Sequence, residues 1–262
     1  MSLSTDVLDL ILSFLQEDCA ALGACSESHP ILSQLAERYS YTHITVDENA
    51  TIQSEIRVQV GVKLTDVLSR KPCIAKYIRS LEIKIGSDSL SQELPTILSL
   101  DSLPRLTTIT LSSGRGSIGW QSLPESFRTA FIASFNLPSI RGISIVWISG
   151  FPLSALNGCN KVKDLTLDGW HWDGVNITPG DVNSPLRLES LSIKSCSGQS
   201  LEKLITWAPT HHLRVLELSR RHPSDYAEIP ELLSKCSNSL TSLSVDLGIH
   251  CASYSSPLID FC

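Results

Sequence analysis

One stretch of the chain matches the spacing of a nucleotide-binding loop. Gly114, Gly116 and Gly119 form a GxGxxG pattern directly after a predicted strand. A dinucleotide site needs the third glycine to open a helix, whose amino end binds the pyrophosphate, and an acidic residue about 20 residues further on. Pro124 interrupts the helix start, and the next predicted strand ends Trp147-Ile148-Ser149-Gly150 without an acid. The pattern therefore predicts a loop, and no cofactor is expected.

Other side chains with catalytic or metal-binding chemistry do not converge in the sequence. His211, His212, His222 and Cys236 match no standard zinc spacing. The eight cysteines form no CxxC pair and are expected to be reduced, buried thiols. No GxSxG elbow is present, although a Cys–His pair that assembles only in space stays open. We expect no catalytic residue and no metal ligand, and therefore a protein that is not an enzyme.

Charge and hydropathy limit the possible partners of the protein and its possible cellular compartment. The net charge is −6 and no basic stripe is evident, which argues against nucleic acid as a partner. The apolar amino-terminal run contains Asp6 and Asp9, has no basic residue before it, and does not resemble a signal peptide. No run of about 18 apolar residues predicts a membrane span. A cytoplasmic or nuclear location without membrane contact is expected.

A short apolar pattern, apolar-x-x-apolar-x-apolar, recurs along most of the chain. Successive first positions are 28, 34, 22, 26, 25 and 27 residues apart, mostly within the range of leucine-rich repeats. Tyr41-Ile44-Val46 is a plausible additional entry strand. The seven copies are Ile78-Leu81-Ile83, Leu106-Ile109-Leu111, Ile140-Ile143-Ile145, Val162-Leu165-Leu167, Leu188-Leu191-Ile193, Leu213-Leu216-Leu218 and Leu240-Leu243-Val245.

The repeat predicts an α/β leucine-rich-repeat solenoid over residues 41–262. The last two apolar positions alternate with polar ones, as in a strand with one buried face. Stacked strand–helix units would form a parallel sheet on the concave side and helices on the convex side. A doubly wound α/β sandwich is the alternative, although these repeats are short for full βαβ units. The predicted helices are Lys63–Arg70, Glu93–Asp101, Gln121–Asn136, Leu201–Ala208 and Ile229–Cys236.

Residues 1–40 form a different segment, with three predicted short helices. The first starts at Ser4 or Thr5, Asp18 could cap the second, and Pro30 starts the third. The apolar residues of the first helix cover more than one stripe, with Val7, Ile11, Phe14 and Leu15 on one side and Leu8 and Leu12 on another. A helix on the surface of a small core needs only one stripe, so apolar surface is left for a partner.

The amino-terminal ladder resembles the F-box motif, and the whole arrangement resembles fungal F-box proteins with irregular leucine-rich repeats. The matching residues are Leu3-Ser4-Thr5-Asp6-Val7-Leu8, Ile11-Leu12-Ser13-Phe14-Leu15, Ala21-Leu22, Ala24-Cys25, Leu32 and Leu35-Ala36. The resemblance implies a substrate receptor of a cullin-type ubiquitin ligase. Its adaptor-binding residues would be Val7, Leu8, Ile11, Leu12, Phe14 and Leu15.

A client protein would bind the concave side of the repeats. The residues between the buried positions are small or polar, which suits hydrogen bonding to a protein surface, and they could equally be an ordinary solvated face. Two tryptophans after one strand could be an interface or core packing. The expected client-binding residues are Glu82, Lys84, Asp168, Trp170, Trp172, Lys194, Glu217 and Asp246.

Two alternatives to the ligase receptor stay open. The three helices could be a cap at the end of the repeats of an interaction scaffold that has no link to ubiquitin. An enzyme would require a cleft with converging titratable groups, which the sequence does not indicate.

Overall fold

A computed structural model gives the architecture of most of the chain. It describes residues 3–16, 18–46, 51–54, 57–86, 103–114, 116–171, 186–196, 198–207, 210–219 and 229–246. Within these ranges the fold is mixed α/β, with a mostly parallel sheet and helices.

The amino-terminal segment consists of three helices, as predicted: α1 (Thr5–Phe14), α2 (Cys19–Ser28) and α3 (Pro30–Ser40). The Ser4 hydroxyl accepts a hydrogen bond from the Val7 N–H at 3.4 Å, and the Asp18 carboxylate accepts one from the Ala21 N–H at 2.9 Å. Both satisfy backbone donors that the first turn of a helix leaves free. A small core closes the segment; its fully buried residues are Leu12, Leu22 and Ala36.

The larger unit follows directly and is built from strands joined by helices and short 3-10 turns. Its strands are β1 (His43–Val46), β2 (Thr51–Ser54), β3 (Arg57–Lys63), β4 (Ser80–Ile85), β5 (Thr108–Ser113), β6 (Ile118–Gly119), β7 (Gly142–Val146), β8 (Ile148–Ser149), β9 (Asp164–Asp168), β10 (Ser190–Lys194), β11 (Val215–Ser219) and β12 (Ser242–Asp246). Its helices are α4 (Leu64–Arg70), α5 (Glu125–Ser134), α6 (Gly198–Trp207) and α7 (Ile229–Cys236). Its 3-10 turns are Pro72–Lys76, Trp120–Ser122, Leu153–Leu156 and Thr210–His212.

Ten of the strands form one sheet, and its parallel strands follow one another in chain order. The order is β12-β11-β10-β9-β7-β5-β4-β1-β2-β3. The neighbours from β12 to β1 in this order pair in parallel, and β2 and β3 are added antiparallel beyond β1. A doubly wound sheet reverses direction at a switch point. The described part of this sheet has no such reversal among its parallel strands, which excludes the doubly wound alternative.

The recurring apolar positions form continuous buried rows across the sheet. The register places Leu81 beside Ile109, Ile109 beside Ile143, and so on through Leu216. These side chains share one cluster with buried residues of α5, α6 and α7. Burial of each large aliphatic side chain is worth about 1.5–3 kcal/mol, so the rows and the helices stabilise each other.

The predicted helices agree with the observed ones except at their ends. Ile229–Cys236 is observed as predicted, and the predicted Lys63–Arg70 is α4, which begins at Leu64. The predicted Gln121–Asn136 is shortened to α5, because Pro124 is its amino-terminal cap and a 3-10 turn precedes it. The predicted Leu201–Ala208 begins earlier, as α6. The predicted Glu93–Asp101 lies outside the described residues.

Among the helices described, none combines the length and the apolar character needed to cross a bilayer.

Candidate interaction surfaces

One side of α1 presents an apolar stripe to solvent. Leu3 lies just before the cap residue Ser4, and Val7, Leu10 and Phe14 follow within α1 at spacings of three and four residues, which places these three on one helix face. The exposed fractions of the four residues, in that order, are 60%, 41%, 58% and 80%, and Ile11 beside them is 45% exposed. We call these five residues the apolar stripe. So many large apolar side chains on one exposed helix face are a feature of interaction sites.

The opposite side of α1 faces the small core of the three-helix segment. Leu12 is only 1% exposed, and the partly buried Leu15 packs beside it. Leu12 was expected to bind an adaptor, and that expectation is wrong, because its side chain is enclosed by its own helices. Leu8 is also partly buried. Of the predicted adaptor-binding residues, Val7, Ile11 and Phe14 are exposed together.

Leu3 and Leu10 belong to the exposed stripe, although neither is among the predicted adaptor-binding residues. A helical-wheel reading with Phe14 as reference would have found Leu10, which lies four residues before it, whereas Leu3 precedes the helix. Ile31 of α3 is also exposed, at 44%. An ion pair anchors the helix that carries the stripe, because Arg38 lies 3.4 Å from the Asp9 carboxylate.

The side of the sheet opposite the buried rows presents polar residues in register. Hydrogen-bonded neighbours place the expected client-binding residues Glu82 and Glu217 in one line, with only Thr and Ser between them. Adjacent members lie one strand spacing apart, about 4.8 Å. We call this line the central polar row; it runs Thr45, Glu82, Thr110, Ser144, Thr166, Ser192, Glu217 and Ser244.

Glu82 organises one end of the central polar row. Its carboxylate accepts hydrogen bonds from the hydroxyl groups of Thr45 at 3.1 Å and Ser112 at 2.8 Å. The Lys84 ammonium lies 3.7 Å from the same carboxylate. The side chain of Glu82 is therefore held in one orientation by three neighbours while it stays 30% exposed.

Glu217 organises the other end in the same way. The Ser192 hydroxyl donates to its carboxylate at 2.7 Å, and the Lys194 ammonium lies 3.2 Å away. The hydrogen bonds from Ser192 and Lys194 hold the pKa of the Glu217 carboxyl below its ordinary value. Glu217 therefore stays charged at neutral pH, and the two glutamates frame the middle of the row, which consists of Thr and Ser residues.

A second polar row runs beside the first and lies two residues further along each strand. The expected client-binding residues Lys84, Asp168, Lys194 and Asp246 all lie in it, in register with Ser112, Val146 and Ser219. The Ser219 hydroxyl donates to the Asp246 carboxylate at 3.3 Å. Asp168 is only partly accessible, and its Oδ1 atom is buried without a hydrogen-bond partner among the described residues.

Trp170 belongs to the core and not to a surface. It is 1% exposed, and its indole N–H donates to the Phe151 carbonyl at 3.4 Å. Its expected role in client binding is wrong, because the chain turns inward after β9. Gly169 makes this turn with a φ of +61°, in the left-handed region that favours glycine. Trp172, the other expected tryptophan, lies outside the described residues.

Among the described residues, the glycines and histidines that could have belonged to cofactor or metal sites lie in short connecting segments of the fold. Gly119 leads into the 3-10 turn at Trp120–Ser122, and α5 begins only after Pro124. His211 and His212 have ring centroids 4.3 Å apart, and partial burial followed by the charge of His211 lowers the pKa of His212. His222 lies outside the described residues, and no group of three potential metal ligands occurs within them.

Three described cysteines are interior thiols. Cys159, Cys196 and Cys236 are buried, as the sequence predicts, whereas Cys73 is exposed. Burial raises the pKa of the Cys159 thiol to about 11. A thiol in this state is a poor nucleophile, because the thiolate is the reactive form.

The comparison of the chain with models of known protein families and with curated proteins finds no match.

Proposed function

We propose that the protein is a leucine-rich-repeat solenoid that serves as the substrate receptor of a cullin-type ubiquitin ligase. The three-helix segment would bind the adaptor subunit, and the polar face of the sheet would bind the client protein. The single observation that carries the proposal is the apolar stripe on α1, since the residues share a face that the protein's own core leaves open.

The repeat assignment rests on the order and spacing of the strands. Seven successive strands carry the same apolar pattern, are 22 to 34 residues apart, and pair in chain order. In such repeats each unit buries its apolar face against its neighbours, as the buried rows do here.

The dimensions of the stripe suit a groove-bound helix. Helices that dock in an apolar groove use anchors at spacings of three and four residues. Burying a side chain such as Phe14, which is 80% exposed, would contribute about 1.5–3 kcal/mol. Several anchors on one ten-residue helix are enough for a stable contact with a fixed partner.

A role as a cap at the end of the repeats explains the three helices less well than adaptor binding does. The last strand at that end of the sheet is β3, and β2 and β3 together cover the open edge of β1. The edge of β1 is therefore hydrogen-bonded by a strand without any contribution from the helices. An interaction scaffold with no link to ubiquitin would have the same sheet and the same polar rows. Only an experiment distinguishes it from the ligase receptor.

The decisive experiment measures adaptor binding and client binding separately. Phe14→Ser combined with Leu10→Ser removes two stripe anchors whose side chains contribute little to the fold. Purified adaptor should bind the wild-type chain, and the double variant should lose binding by about 100-fold, since each anchor is worth at least one factor of ten. Val215→Ser, which changes a 40% exposed apolar residue on the sheet, is the matched control and should keep adaptor binding.

The client arm uses the central polar row. Glu82→Ala combined with Glu217→Ala should leave adaptor binding intact and reduce the set of proteins recovered by crosslinking and mass spectrometry. If the folded wild-type chain never binds the adaptor while the polar-row variant still loses its clients, the ligase proposal is wrong and the scaffold alternative is correct.

A further inference from the structure

A cavity lies where the three-helix segment meets the start of the sheet. Its volume is about 210 Å³, and its lining comes from both units. α3 and the turn after it contribute Arg38, Tyr39 and Thr42; the other unit contributes Lys76, Arg79 and Arg105.

The backbone fixes these cations next to one another. The Arg79 N–H donates to the Thr42 carbonyl at 2.9 Å, and the Thr107 N–H donates to the Arg79 carbonyl at 2.8 Å. Arg79 directly precedes β4, and Arg105 lies just before β5, which is the neighbouring strand. Their proximity therefore follows from the strand pairing and does not depend on a particular side-chain conformation.

The cavity is positively charged, although the whole protein has a net charge of −6. Arg38 has a carboxylate partner, Asp9, at 3.4 Å. Within the part of the chain that the structure describes, Lys76, Arg79 and Arg105 have no carboxylate within 4.0 Å. Three cations that have no carboxylate partner among the described residues thus share one concave site, which favours a multivalent anion.

Nearby aromatic residues hold two of the cations. The Lys76 ammonium lies 5.1 Å from the centre of the Tyr77 ring, and the Arg38 guanidinium lies 5.6 Å from that of Tyr39. The Tyr39 hydroxyl donates to the Asp9 carboxylate at 3.0 Å, which anchors this wall of the cavity to α1. Cation–π contacts of this kind reduce the freedom of long side chains, and the Lys76 ammonium keeps its N–H donors available for a ligand.

We infer that this cavity binds a small phosphate-bearing molecule, with Lys76, Arg79 and Arg105 contacting the phosphate oxygens. Guanidinium groups pair with phosphate through parallel N–H···O bonds, and a lysine adds a mobile point charge. The inference is independent of the proposed ligase function, since it uses neither the apolar stripe nor the polar rows.

The test titrates pyrophosphate into the full chain at low salt and measures binding by calorimetry and ³¹P line broadening. Pyrophosphate should bind saturably, raise the melting temperature, and bind at least about ten-fold more tightly than inorganic phosphate, because it carries more charge. Lys76→Gln combined with Arg105→Gln should weaken binding about 100-fold, at about ten-fold for each charged hydrogen bond lost.

The matched control is Lys161→Gln combined with Arg187→Gln. Both residues are exposed cations outside the cavity, so the net charge changes equally. Retained pyrophosphate affinity in this control, with loss in the cavity variant, supports the site. Absence of binding by the folded wild-type chain, equal loss in both variants, or binding of a phosphorylated peptide but not of pyrophosphate would each overturn the inference.

Discussion

The turn after β9 gives the sharpest prediction about stability. Gly169 has a φ of +61°, and a Cβ atom added there would lie 2.4 Å from Cε3 of the Trp147 ring. Trp147 itself is held in place, because its N–H donates to the Asp168 carbonyl at 2.7 Å. Gly169→Ala therefore meets two separate obstacles, an unfavourable backbone conformation and a steric clash.

The two obstacles set the magnitude. A residue with a Cβ in the left-handed region costs about 1–2 kcal/mol. Relief of a clash in a packed region by shifts of neighbouring groups costs about 1–3 kcal/mol. Gly169→Ala should therefore lower the free energy of unfolding by about 2–5 kcal/mol. For a chain of this size the melting temperature should fall by roughly 5–20 °C.

Thermal melts followed by circular dichroism measure this change, and two further variants separate its parts. Gly158→Ala is the matched control, since nothing lies within 4 Å of its added Cβ, and it should melt close to the wild type. In a Trp147→Ala background, Gly169→Ala should cost only the backbone part, about 1–2 kcal/mol. A Gly169→Ala protein that melts with the wild type, or a Gly158→Ala protein that is equally destabilised, would refute the reasoning.

Three further predictions concern a helix cap, a polar row and the thiols. Asp18→Ala removes the cap of α2 and should lower stability by about 1 kcal/mol in chemical unfolding, whereas Asp18→Asn should retain most of it. Glu217 has a lowered pKa in the folded state, so its pairing with Lys194 stabilises above the ordinary carboxyl pKa and is lost as the pH falls through the folded value. Glu217→Gln should therefore reduce stability at pH 7 by about 0.2–1 kcal/mol and have little effect at pH 3. At pH 8, alkylation followed by peptide mass spectrometry should find Cys73 labelled quickly and Cys159 only after unfolding, because burial raises the pKa of Cys159 to about 11.

Each of the three has an outcome that contradicts it. Equal stability of the Asp18→Ala and Asp18→Asn proteins at the wild-type level would show that the cap contributes nothing. A Glu217→Gln effect that is as large at pH 3 as at pH 7 would assign the loss to packing instead of charge. Early labelling of Cys159 in the native protein would mean that its surroundings open readily.

The parallel sheet was predictable because two independent signals coincide in its strands. Leu81 and Ile83 alternate with Glu82, as a half-buried strand requires, and the same motif returns after a segment long enough for a crossover. The starts of the first helices were predictable for a similar reason, since Asp18 and Pro30 are residue types that favour those positions.

The surfaces were less predictable, because exposure depends on contacts that are distant in sequence. Leu12 and Phe14 are both apolar residues of α1, but only the positions of α2 and α3 decide that Leu12 is buried and Phe14 exposed. The local sequence of Trp170 suits a turn, whereas its burial follows from the approach of Phe151. The cations at the cavity are scattered singly along the chain, so a search for basic runs does not find them.

The chain-ordered pairing of the sheet has a consequence for how the protein comes apart. Among the described residues, each parallel strand of the ten-stranded sheet from β4 to β11 pairs only with the parallel strands of that sheet that precede and follow it in the chain. Stability in such an array is close to a sum of unit and nearest-neighbour terms, so unfolding need not be all-or-none. Among the described parallel strands of the sheet, β12 pairs with one neighbour and exposes Leu243 and Val245, so it is the parallel strand that packing holds least. Among the parallel strands, amide hydrogen exchange should therefore be fastest in β12 and should become slower, strand by strand, toward β9. Local unfolding of the sheet would then begin at β12.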